Sequence, residues 1–383
     1  MVDFRCGVGE NPKDVKKRIN KIFTNVKERY PDVIEKEDTI SLDDKSVAYV
    51  VSQLQKFCLL DASRDAVGDA FEIFIGHALK GAQGQFFTPK NVVKMIVDMI
   101  DLNITDKVID PCCGSGGFLV EALKSVWIKA EQYYNELGWP EKEIEIEKQK
   151  IAIEKFRGID KDAFLSKVCK AQMAILGDGR GGVFCENSLD IPSKWQHKTQ
   201  EKITLESFDV LITNPPYGSK IKIDDKDILK QFEVAYKWKL NKKSNVWEKG
   251  KIRENDVPQN LFIERCMDFL VPGGRMALVL PDGIYGNDGL GYLRQFIMKN
   301  GRVLAVIDLP KETFMPHTST KTTVILIQKY KDDEDRKDKK PVFMALCETC
   351  GHDRRGNINQ YEDDISKVAQ EFIIWRESNG ITF

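Results

Sequence analysis

The sequence has 383 residues, of which 42% are hydrophobic and 31% are charged, and its formal net charge is −1 at pH 7. This length is enough for one large domain or two modest ones with a substantial core. The sequence has no apolar run of the roughly 18 residues that a membrane span requires, and no signal-peptide pattern at its amino terminus. These features exclude a membrane partner and predict a cytoplasmic protein.

The nine cysteines are odd in number and scattered along the chain. Several of them, such as Cys169 and Cys185, lie within apolar patterns, which indicates free thiols in a reducing compartment rather than a disulfide framework. A protein that binds nucleic acid unaided usually carries a clear excess of basic residues. The near-neutral net charge therefore favours either a local basic surface or a partner that supplies most phosphate contacts.

The first 80 residues are predicted to be helical. Apolar residues recur at helical spacing in two stretches, Val47, Val50, Val51, Leu54 and Phe57, and then Val67, Ala70, Phe71, Phe74 and Ile75. Because helices must bury such stripes against a partner, residues 1–80 are predicted to form a small helical domain that leans on the rest of the chain.

From residue 81 onward, short β-branched runs alternate with helical stretches, as in a parallel sheet with crossover helices. Seven strands are predicted, at Lys107–Asp110, Phe156–Asp160, Val183–Asn187, Phe208–Thr213, Arg275–Leu280, Arg302–Asp308 and Thr322–Gln328. No long helix separates the last two, so they can pair in antiparallel fashion. We predict an α/β domain over residues 81–330, with a seven-stranded, mostly parallel sheet and helices on both faces. Residues 331–383 are predicted to be a charged linker and a tail with one helix near Ile365–Trp375.

A glycine-rich turn follows the first predicted strand, in the sequence Asp110-Pro-Cys-Cys-Gly114-Ser-Gly116-Gly-Phe. Ligands of open α/β sheets bind at the carboxyl ends of strands, where glycines allow positive φ and a close approach of the backbone. The next strand ends at Asp160, and an acidic residue there can accept hydrogen bonds from both hydroxyl groups of a ribose. The turn and Asp160 predict a nucleoside site, and the alternative is a tight turn followed by a helix-capping aspartate.

The fourth predicted strand leads into the sequence Asn214-Pro215-Pro216-Tyr217. Two prolines stiffen this loop and remove two backbone donors, while their carbonyls can still accept hydrogen bonds. The Asn214 side-chain oxygen and the Pro215 carbonyl can accept both hydrogens of an exocyclic amine and aim its lone pair at a methyl donor, with Tyr217 stacked on the ring. A base inside a duplex must be flipped out to reach them. The alternative is a rigid proline turn.

These motifs, in this order, resemble those of the modification (methyltransferase, M) subunits of type I restriction–modification systems, among the amino-group DNA methyltransferases. The similarity runs from about residue 60 to residue 330. It implies the Rossmann-like, class I fold of S-adenosylmethionine-dependent methyltransferases and methylation of N6 of a flipped-out adenine in double-stranded DNA. Because the chain shows no recognition domain of its own, the resemblance also implies separate specificity (S) and restriction (R) subunits and low activity of the chain alone.

The resemblance assigns roles to individual residues. Those expected to bind S-adenosyl-L-methionine are Gln85, Phe86, Thr88, Pro89, Asp110, Gly114, Ser115, Gly116, Asp160 and Asn187, the last standing where the family often has aspartate. The catalytic residues are expected to be Asn214, Pro215, Pro216 and Tyr217. Phe314 is expected to hold the base from the side opposite Tyr217, or else to belong to the core.

Three alternatives stay open. Methylation of cytosine N4 is the nearest, although that reaction tends to use serine at the position of Asn214. A protein glutamine N5-methyltransferase also uses Asn-Pro-Pro-Tyr, but the Gly-Gln-Phe-Phe-Thr-Pro segment at 84–89 and the basic insertion after Tyr217 argue against it. A non-catalytic subunit that binds DNA or a partner is opposed by the intact loop over Asn214–Tyr217.

Two further segments each have two interpretations. Residues 219–253 hold eleven lysines or arginines against five acidic residues, with Tyr236, Trp238 and Trp247 interleaved. This composition suits either a splayed nucleic acid strand or a solvated, partly disordered insertion. In the tail, Cys347-Glu-Thr-Cys350-Gly-His352 resembles half a zinc site, but a structural site normally has four ligands, so no metal is expected.

Overall fold

The computed structural model describes residues 3–31, 33–34, 36–56, 87–176, 179–218 and 221–383, except for the side chains of residues 359–361. The second predicted apolar stripe of the amino-terminal region, together with Phe57, Gln85 and Phe86, lies outside the described residues. The helices of ten or more residues are α1 (Pro12–Arg29), α2 (Asp44–Leu54), α3 (Lys90–Ile100), α4 (Gly117–Glu136), α5 (Glu141–Lys155), α6 (Ala163–Leu176), α7 (Pro258–Phe269), α8 (Gly291–Asn300) and α9 (Ile365–Ser378). Shorter helices lie at His197–Gln200, Lys226–Leu229, Gly283–Gly286 and Asp333–Lys337.

The strands alternate with these helices along most of the chain. They are β1 (Val108–Asp110), β2 (Phe156–Asp160), β3 (Val183–Cys185), β4 (Phe208–Thr213), β5 (Tyr236–Asn241), β6 (Val246–Ile252), β7 (Leu270–Pro281), β8 (Gly301–Asp308), β9 (Thr322–Lys329), β10 (Phe343–Leu346), β11 (Cys350–His352) and β12 (Ile358–Asp363). Two pairs, β5 with β6 and β11 with β12, form separate two-stranded sheets.

Eight strands form the central sheet, in the order β10-β8-β9-β7-β4-β1-β2-β3. All neighbours are parallel except β9, which lies between β7 and β8 and runs antiparallel to both. The predicted α/β class is therefore confirmed, and so is the antiparallel pairing of β8 with β9. The predicted number of seven strands is one too few, because β10 from the tail adds to the edge of the sheet beside β8.

Both faces of the sheet are buried. Along β7, Ala277 and Val279 belong to one hydrophobic cluster, whereas Met276, Leu278 and Leu280 belong to the other. Since successive side chains of a strand point to opposite faces, this alternation means that helices cover the sheet on both sides. The apolar helices α3 and α4 pack into the first cluster and α7 and α8 into the second.

The tail packs on the sheet and on α3, so the predicted boundary at residue 330 does not separate it from the α/β domain. Asn91 on α3 donates from Nδ2 to the Cys350 carbonyl at 3.0 Å. The ring of Phe343 on β10 packs against Phe372 and Trp375 of α9, with centroids 5.5 Å away in both cases. The predicted helix near Ile365–Trp375 is present as α9. The pairing of β10 was not predicted, because this strand has only four residues and its partner β8 is distant in sequence.

The described amino-terminal helices have a small core of their own, formed by Val15, Ile19, Val47, Ala48 and Val51. Of the predicted stripe, Val47 and Val51 are buried. Among the residues that the structure covers, no helix combines the length and hydropathy needed to cross a bilayer.

Candidate active site

The parallel strands β1, β2 and β4 all end at one edge of the sheet, and a cleft lies there. It consists of two adjoining cavities of about 290 and 180 Å³, which share Phe87, Cys112, Gly114 and Asn214 as lining residues. Asp110 and Ser115 line the first cavity. The second is lined by the other predicted site residues, Asp160, Asn187, Pro215, Pro216 and Tyr217. The fold thus gathers most of the predicted site around one cleft.

The glycine turn between β1 and α4 forms the floor between the two cavities. Gly114 has a φ of 52°, and its N–H donates to Asp160 Oδ2 at 2.9 Å. Gly116 has a φ of 100°, and a Cβ at this position would lie 2.7 Å from Cys169 Sγ. Glycine is therefore required at 116 by both conformation and space. Gly116 shapes the turn but is not part of the cleft lining.

Asp110, at the end of β1, is buried, with an exposed fraction of 1%. Its Oδ1 accepts hydrogen bonds from Thr213 Oγ1 at 2.6 Å and from the Cys112 N–H at 3.0 Å. Its Oδ2 is buried without a partner among the described residues. Burial raises the pKa of this carboxyl to about 7, against the hydrogen bonds, which lower it. An unpartnered buried oxygen costs about 1–3 kcal/mol, which indicates a place for a ligand donor.

Asp160, at the end of β2, has one backbone donor on each oxygen. Oδ1 accepts from the Asp162 N–H at 2.9 Å, and Oδ2 accepts from Gly114. Burial raises the pKa of this carboxyl, opposed by those two bonds. A carboxylate offers about four acceptor sites, so both oxygens can still accept a hydroxyl from the second cavity.

Asn214 has one engaged and one unengaged end. Its Nδ2 donates to Thr88 Oγ1 at 3.1 Å, whereas its Oδ1 is buried without a partner in the described part of the chain. The hydrogen bond to Thr88 uses the Asn214 nitrogen and leaves its side-chain oxygen for a ligand. This oxygen is the atom that would accept a hydrogen of the target amine. Thr88, expected to hold the cofactor, here orients Asn214 and also lines the first cavity. Pro89 precedes α3 and does not line the cleft.

Tyr217 completes the loop after β4. Its hydroxyl is buried and, within the described ranges, no hydrogen bond of good geometry reaches it. Burial raises the pKa of this phenol, and the adjacent Asn214 side chain opposes that shift. Beside it, an apolar wall of the second cavity is formed by Ile221, Ile223, Pro258 and Phe262. A planar ligand with an apolar face could therefore stack on the Tyr217 ring and contact this apolar wall.

One predicted residue is placed differently from the expectation. Phe314 is 2% exposed and lies in a hydrophobic core cluster, away from the cleft lining. The stacking role predicted for it is thus not supported by this arrangement, and the core alternative describes it.

Asn187 lines the cleft as expected. Its Nδ2 donates to Asp190 Oδ1 at 2.9 Å, and its Oδ1 accepts from the Leu189 N–H at 3.2 Å. Each end of the amide is thus engaged once in a local turn, with one N–H and one oxygen lone pair remaining.

Several residues that shape the cleft were not predicted from the sequence. Thr213 fixes the Asp110 carboxylate, and its position directly before Asn214 was the available signal. Gln259 accepts a hydrogen bond from the Gly218 N–H at 3.4 Å and so holds the end of the loop. Phe87 lines both cavities. No local pattern distinguishes Gln259 or Phe87 from other residues of their type.

The cysteines of the site and of the tail carry raised pKa values. Burial raises the pKa of the Cys112 thiol well above its usual range, so this cleft residue is not a thiolate nucleophile. In the tail, burial raises the pKa of Cys347 to about 12, and His352 Nε2 lies 3.3 Å from the Thr313 carbonyl. Across the described residues, no group of three or more His, Cys, Asp or Glu side chains is arranged to hold a metal ion.

A family model described as N-6 DNA Methylase matches residues 62–383. The type I restriction enzyme EcoEI methylase subunit of Escherichia coli is 25% identical over 275 residues, which cover 70% of this chain and 47% of that protein. The type I restriction enzyme MjaIX methylase subunit of Methanocaldococcus jannaschii is 25% identical over 366 residues, which cover 91% of this chain and 57% of that protein. The chain spans about half the length of these curated relatives.

Solved structures share the fold. The type I restriction-modification system methyltransferase subunit from Streptococcus thermophilus superposes with a TM-score of 0.62 at 19% identity, over 96% of this chain and 70% of that one. The type I restriction enzyme EcoKI M protein superposes with a TM-score of 0.53 at 18% identity, over 94% of this chain and 64% of that one. At these identities the likeness is one of fold.

Proposed function

Because the chain belongs to the N-6 DNA methylase family, we propose that it transfers a methyl group from S-adenosyl-L-methionine to N6 of adenine in double-stranded DNA. The family membership confirms the resemblance drawn from the motifs. The observation that carries the proposal is the unpartnered Asn214 oxygen, which lies in the same cleft as Asp110 and Gly114.

The residues present fit the cofactor. Asp160 would accept hydrogen bonds from the ribose hydroxyls in the second cavity. Asp110, with its orphaned Oδ2, would accept from the ammonium group of the methionine end in the first cavity. When bound, S-adenosylmethionine supplies a methyl group on a positively charged sulfur. The glycine turn between the two carboxylates lets the backbone approach the ligand closely.

The loop over Asn214–Tyr217 would act on the target amine. The Asn214 oxygen and the Pro215 carbonyl accept its two hydrogens, which moves the nitrogen from planar towards tetrahedral and frees its lone pair. Tyr217 stacks on the base, which returns roughly 1–3 kcal/mol of the few kcal/mol that flipping costs. The reaction would then be a direct displacement, in which the N–C bond forms as the S–C bond breaks and one N6 proton is released to water. Alignment can lower its barrier by about 7–11 kcal/mol. No covalent intermediate with the protein is required.

Cofactor binding should weaken as the pH falls below about 7. The pKa of the Asp110 carboxyl is about 7, so the free chain holds a neutral acid at lower pH and must release a proton to pair with a cation. We expect the dissociation constant to rise by up to about tenfold per pH unit below 7 and to be nearly flat between 7 and 7.5. Calorimetry at pH 5.5–7.5 measures this, in a range where the ligand ammonium, with a pKa near 8, stays charged.

The Asp110→Asn variant is the control for this pH dependence. It keeps an oxygen that can accept from Thr213 but has no proton to release, so its weaker affinity should fall less steeply with decreasing pH than the parent's. Asp160, whose pKa is also raised, contributes a change of the same sign. A parent affinity that is the same at pH 6 and pH 7.5 would contradict the assigned role of Asp110.

The partners are inferred from the names of the relatives. Type I relatives are named as methylase subunits of larger restriction enzymes, and this chain spans about half of their length. We infer that a separate specificity subunit reads the DNA sequence and that a restriction subunit joins the complete complex. The chain would work in the cytoplasm, and alone it would methylate DNA poorly.

Methyl-group mapping on DNA from cells with the intact operon tests the proposal. We expect N6-methyladenine at one recurrent sequence, and its loss on deletion of the gene for this chain. N4-methylcytosine at that sequence would favour the cytosine alternative. Methylated glutamine in a cellular protein, with unmodified DNA, would favour a protein methyltransferase. Unmodified DNA together with undetectable binding of S-adenosylmethionine would leave only the non-catalytic subunit.

A further inference from the structure

The hairpin of β5 and β6, over residues 236–252, is strongly positively charged, and none of its residues lines the cleft. It holds six lysines and one glutamate, a net charge of +5 in a chain whose total is −1. The lysines are Lys237, Lys239, Lys242, Lys243, Lys249 and Lys251, and all six are exposed. None of them forms an ion pair with another residue that the structure describes. The hairpin is thus a strongly basic patch in which one glutamate is the only acidic residue.

The hairpin is docked firmly on α8. The Trp238 ring stacks on the Tyr292 ring with centroids 6.0 Å apart and planes 8° apart, and Trp247 meets the same ring edge-on at 6.0 Å. The backbone N–H of Trp247 donates to Gln295 Oε1 at 3.1 Å. In the described part of this segment, residues 221–253, the chain thus forms a packed hairpin with exposed lysines. The tryptophans face inward, so they are not available to stack on the bases of a splayed strand.

Lys237 and Lys239 lie on the opposite face, and Lys242 and Lys243 lie in the turn. Lys249 instead pairs in register with Trp238, and its Nζ lies 3.9 Å from the centroid of the Tyr236 ring. Lys237 and Lys239 flank Trp238 in sequence, and side chains of neighbouring strand residues point to opposite faces. The single acid, Glu248, pairs in register with Lys239 and accepts a hydrogen bond from Asn241 Nδ2 at 2.7 Å. A row of ammonium groups held on a rigid two-stranded sheet, with little opposing charge, complements a row of anions.

The position of the hairpin relates it to the cleft. Ile223, which lines the second cavity, exchanges two backbone hydrogen bonds with Asp256, at 2.8 and 3.0 Å. The Arg253 N–H donates to the Ala235 carbonyl at 3.0 Å and closes the base of the hairpin. At about 3.3 Å per residue, the strands extend roughly 20 Å from this base. The basic hairpin thus lies in a segment whose two ends, at Ile223 and Asp256, pair beside the wall of the second cavity that contains Tyr217.

We propose that the outer face of this hairpin binds the phosphate backbone of DNA next to the flipped base and does not read its sequence. This inference rests on the proposed function, because that function supplies DNA as the substrate. Lysine acts as a point charge toward phosphate, and contacts to phosphates position a protein without specifying bases. The hairpin provides a local basic surface, one of the two alternatives that the near-neutral net charge leaves for a DNA-binding chain.

The test is the salt dependence of DNA binding by the chain with the substitutions Lys237→Gln, Lys239→Gln and Lys243→Gln. Removing one lysine from a phosphate makes the log–log slope of affinity against salt shallower by about 0.9, so removing three makes it shallower by about 2.7. The parent-to-variant ratio of affinities should therefore shrink roughly 40-fold between about 50 and 200 mM salt. Fluorescence anisotropy with a labelled duplex measures this, and unchanged cofactor affinity shows that the cleft is intact.

The matched control removes three lysines from α5, with Lys142→Gln, Lys150→Gln and Lys155→Gln. This helix leads directly into the start of β2, at the edge of the sheet away from the cleft, so the parent slope is expected. A parent slope in the hairpin variant would overturn the inference. So would a defect confined to binding a protein partner, which would make the hairpin a protein interface. The slope is measured without methylation, so absence of N6-methyladenine would count against the proposed function alone.

Discussion

Replacing Asn214 with alanine should lower the rate of methyl transfer by about 1,000-fold or more and leave cofactor affinity within about twofold of the parent's. The substitution removes the oxygen that accepts an amine hydrogen, and that interaction strengthens only as the nitrogen becomes tetrahedral. The residues assigned to the cofactor, Asp110 and Asp160, keep their hydrogen bonds. The effect should therefore appear in the rate of the chemical step and not in cofactor binding.

Single-turnover transfer of a labelled methyl group to DNA, assayed together with the specificity subunit of the same operon, measures the rate. Calorimetry with S-adenosylmethionine measures the affinity. Asn135→Ala is the matched control, since Asn135 is an exposed residue near the end of α4 far from the cleft. Equal turnover by Asn214→Ala and the parent would refute the role of Asn214. An equal loss in Asn135→Ala would point to damage of the fold.

Replacing Asp160 with alanine should weaken S-adenosylmethionine binding by about 100- to 10,000-fold. Two charge-assisted hydrogen bonds to ribose hydroxyls contribute roughly 1.5–3 kcal/mol each, and every 1.4 kcal/mol is a factor of ten. The substitution also leaves the Gly114 N–H without its acceptor, which loosens the turn between the two cavities. Both effects act on the free energy of cofactor binding, and calorimetry reports their sum.

Asp162→Ala separates the ligand contact from local structure. Asp162 Oδ1 accepts from the Phe164 N–H at 2.9 Å at the start of α6, so its loss should cost about 1 kcal/mol of stability. Its cofactor affinity should stay close to the parent's. If the Asp160 and Asp162 variants lost affinity equally, the carboxylate of Asp160 would act only through the local backbone.

The core of the site could be predicted because it follows from strand order. Asp110, Asp160 and Asn214 each end a buried strand or directly follow one, and strands that pair in parallel bring their carboxyl ends to one edge. Their proximity therefore needed no knowledge of side-chain packing. The roles of the two ends of the Asn214 amide did need it, because Thr88 approaches from a distant part of the sequence.

The position of Phe314 could not be predicted from the sequence, because it depends on contacts with the tail. This residue lies on a short helical turn whose position depends on the tail, where His352 contacts the Thr313 carbonyl and Arg354 pairs with Glu312 at 2.9 Å. The resemblance placed this aromatic near the base, with the core as the alternative, and tertiary contacts direct it into the core. In β5, by contrast, the lysines alternate with Tyr236, Trp238 and Leu240. This period of two predicts a strand, but the segment was interpreted only from its composition.

The hydrogen bond between Arg253 and Ala235 closes the basic hairpin at its base, and Trp238 and Trp247 anchor it on α8. Its outer lysines and its turn can therefore change without moving the residues that line the cleft. If the chain methylates DNA as proposed, exchanging these lysines would tune how strongly it holds the duplex at a given ionic strength. The strength of DNA binding and the rate of methyl transfer could in this way be adjusted independently.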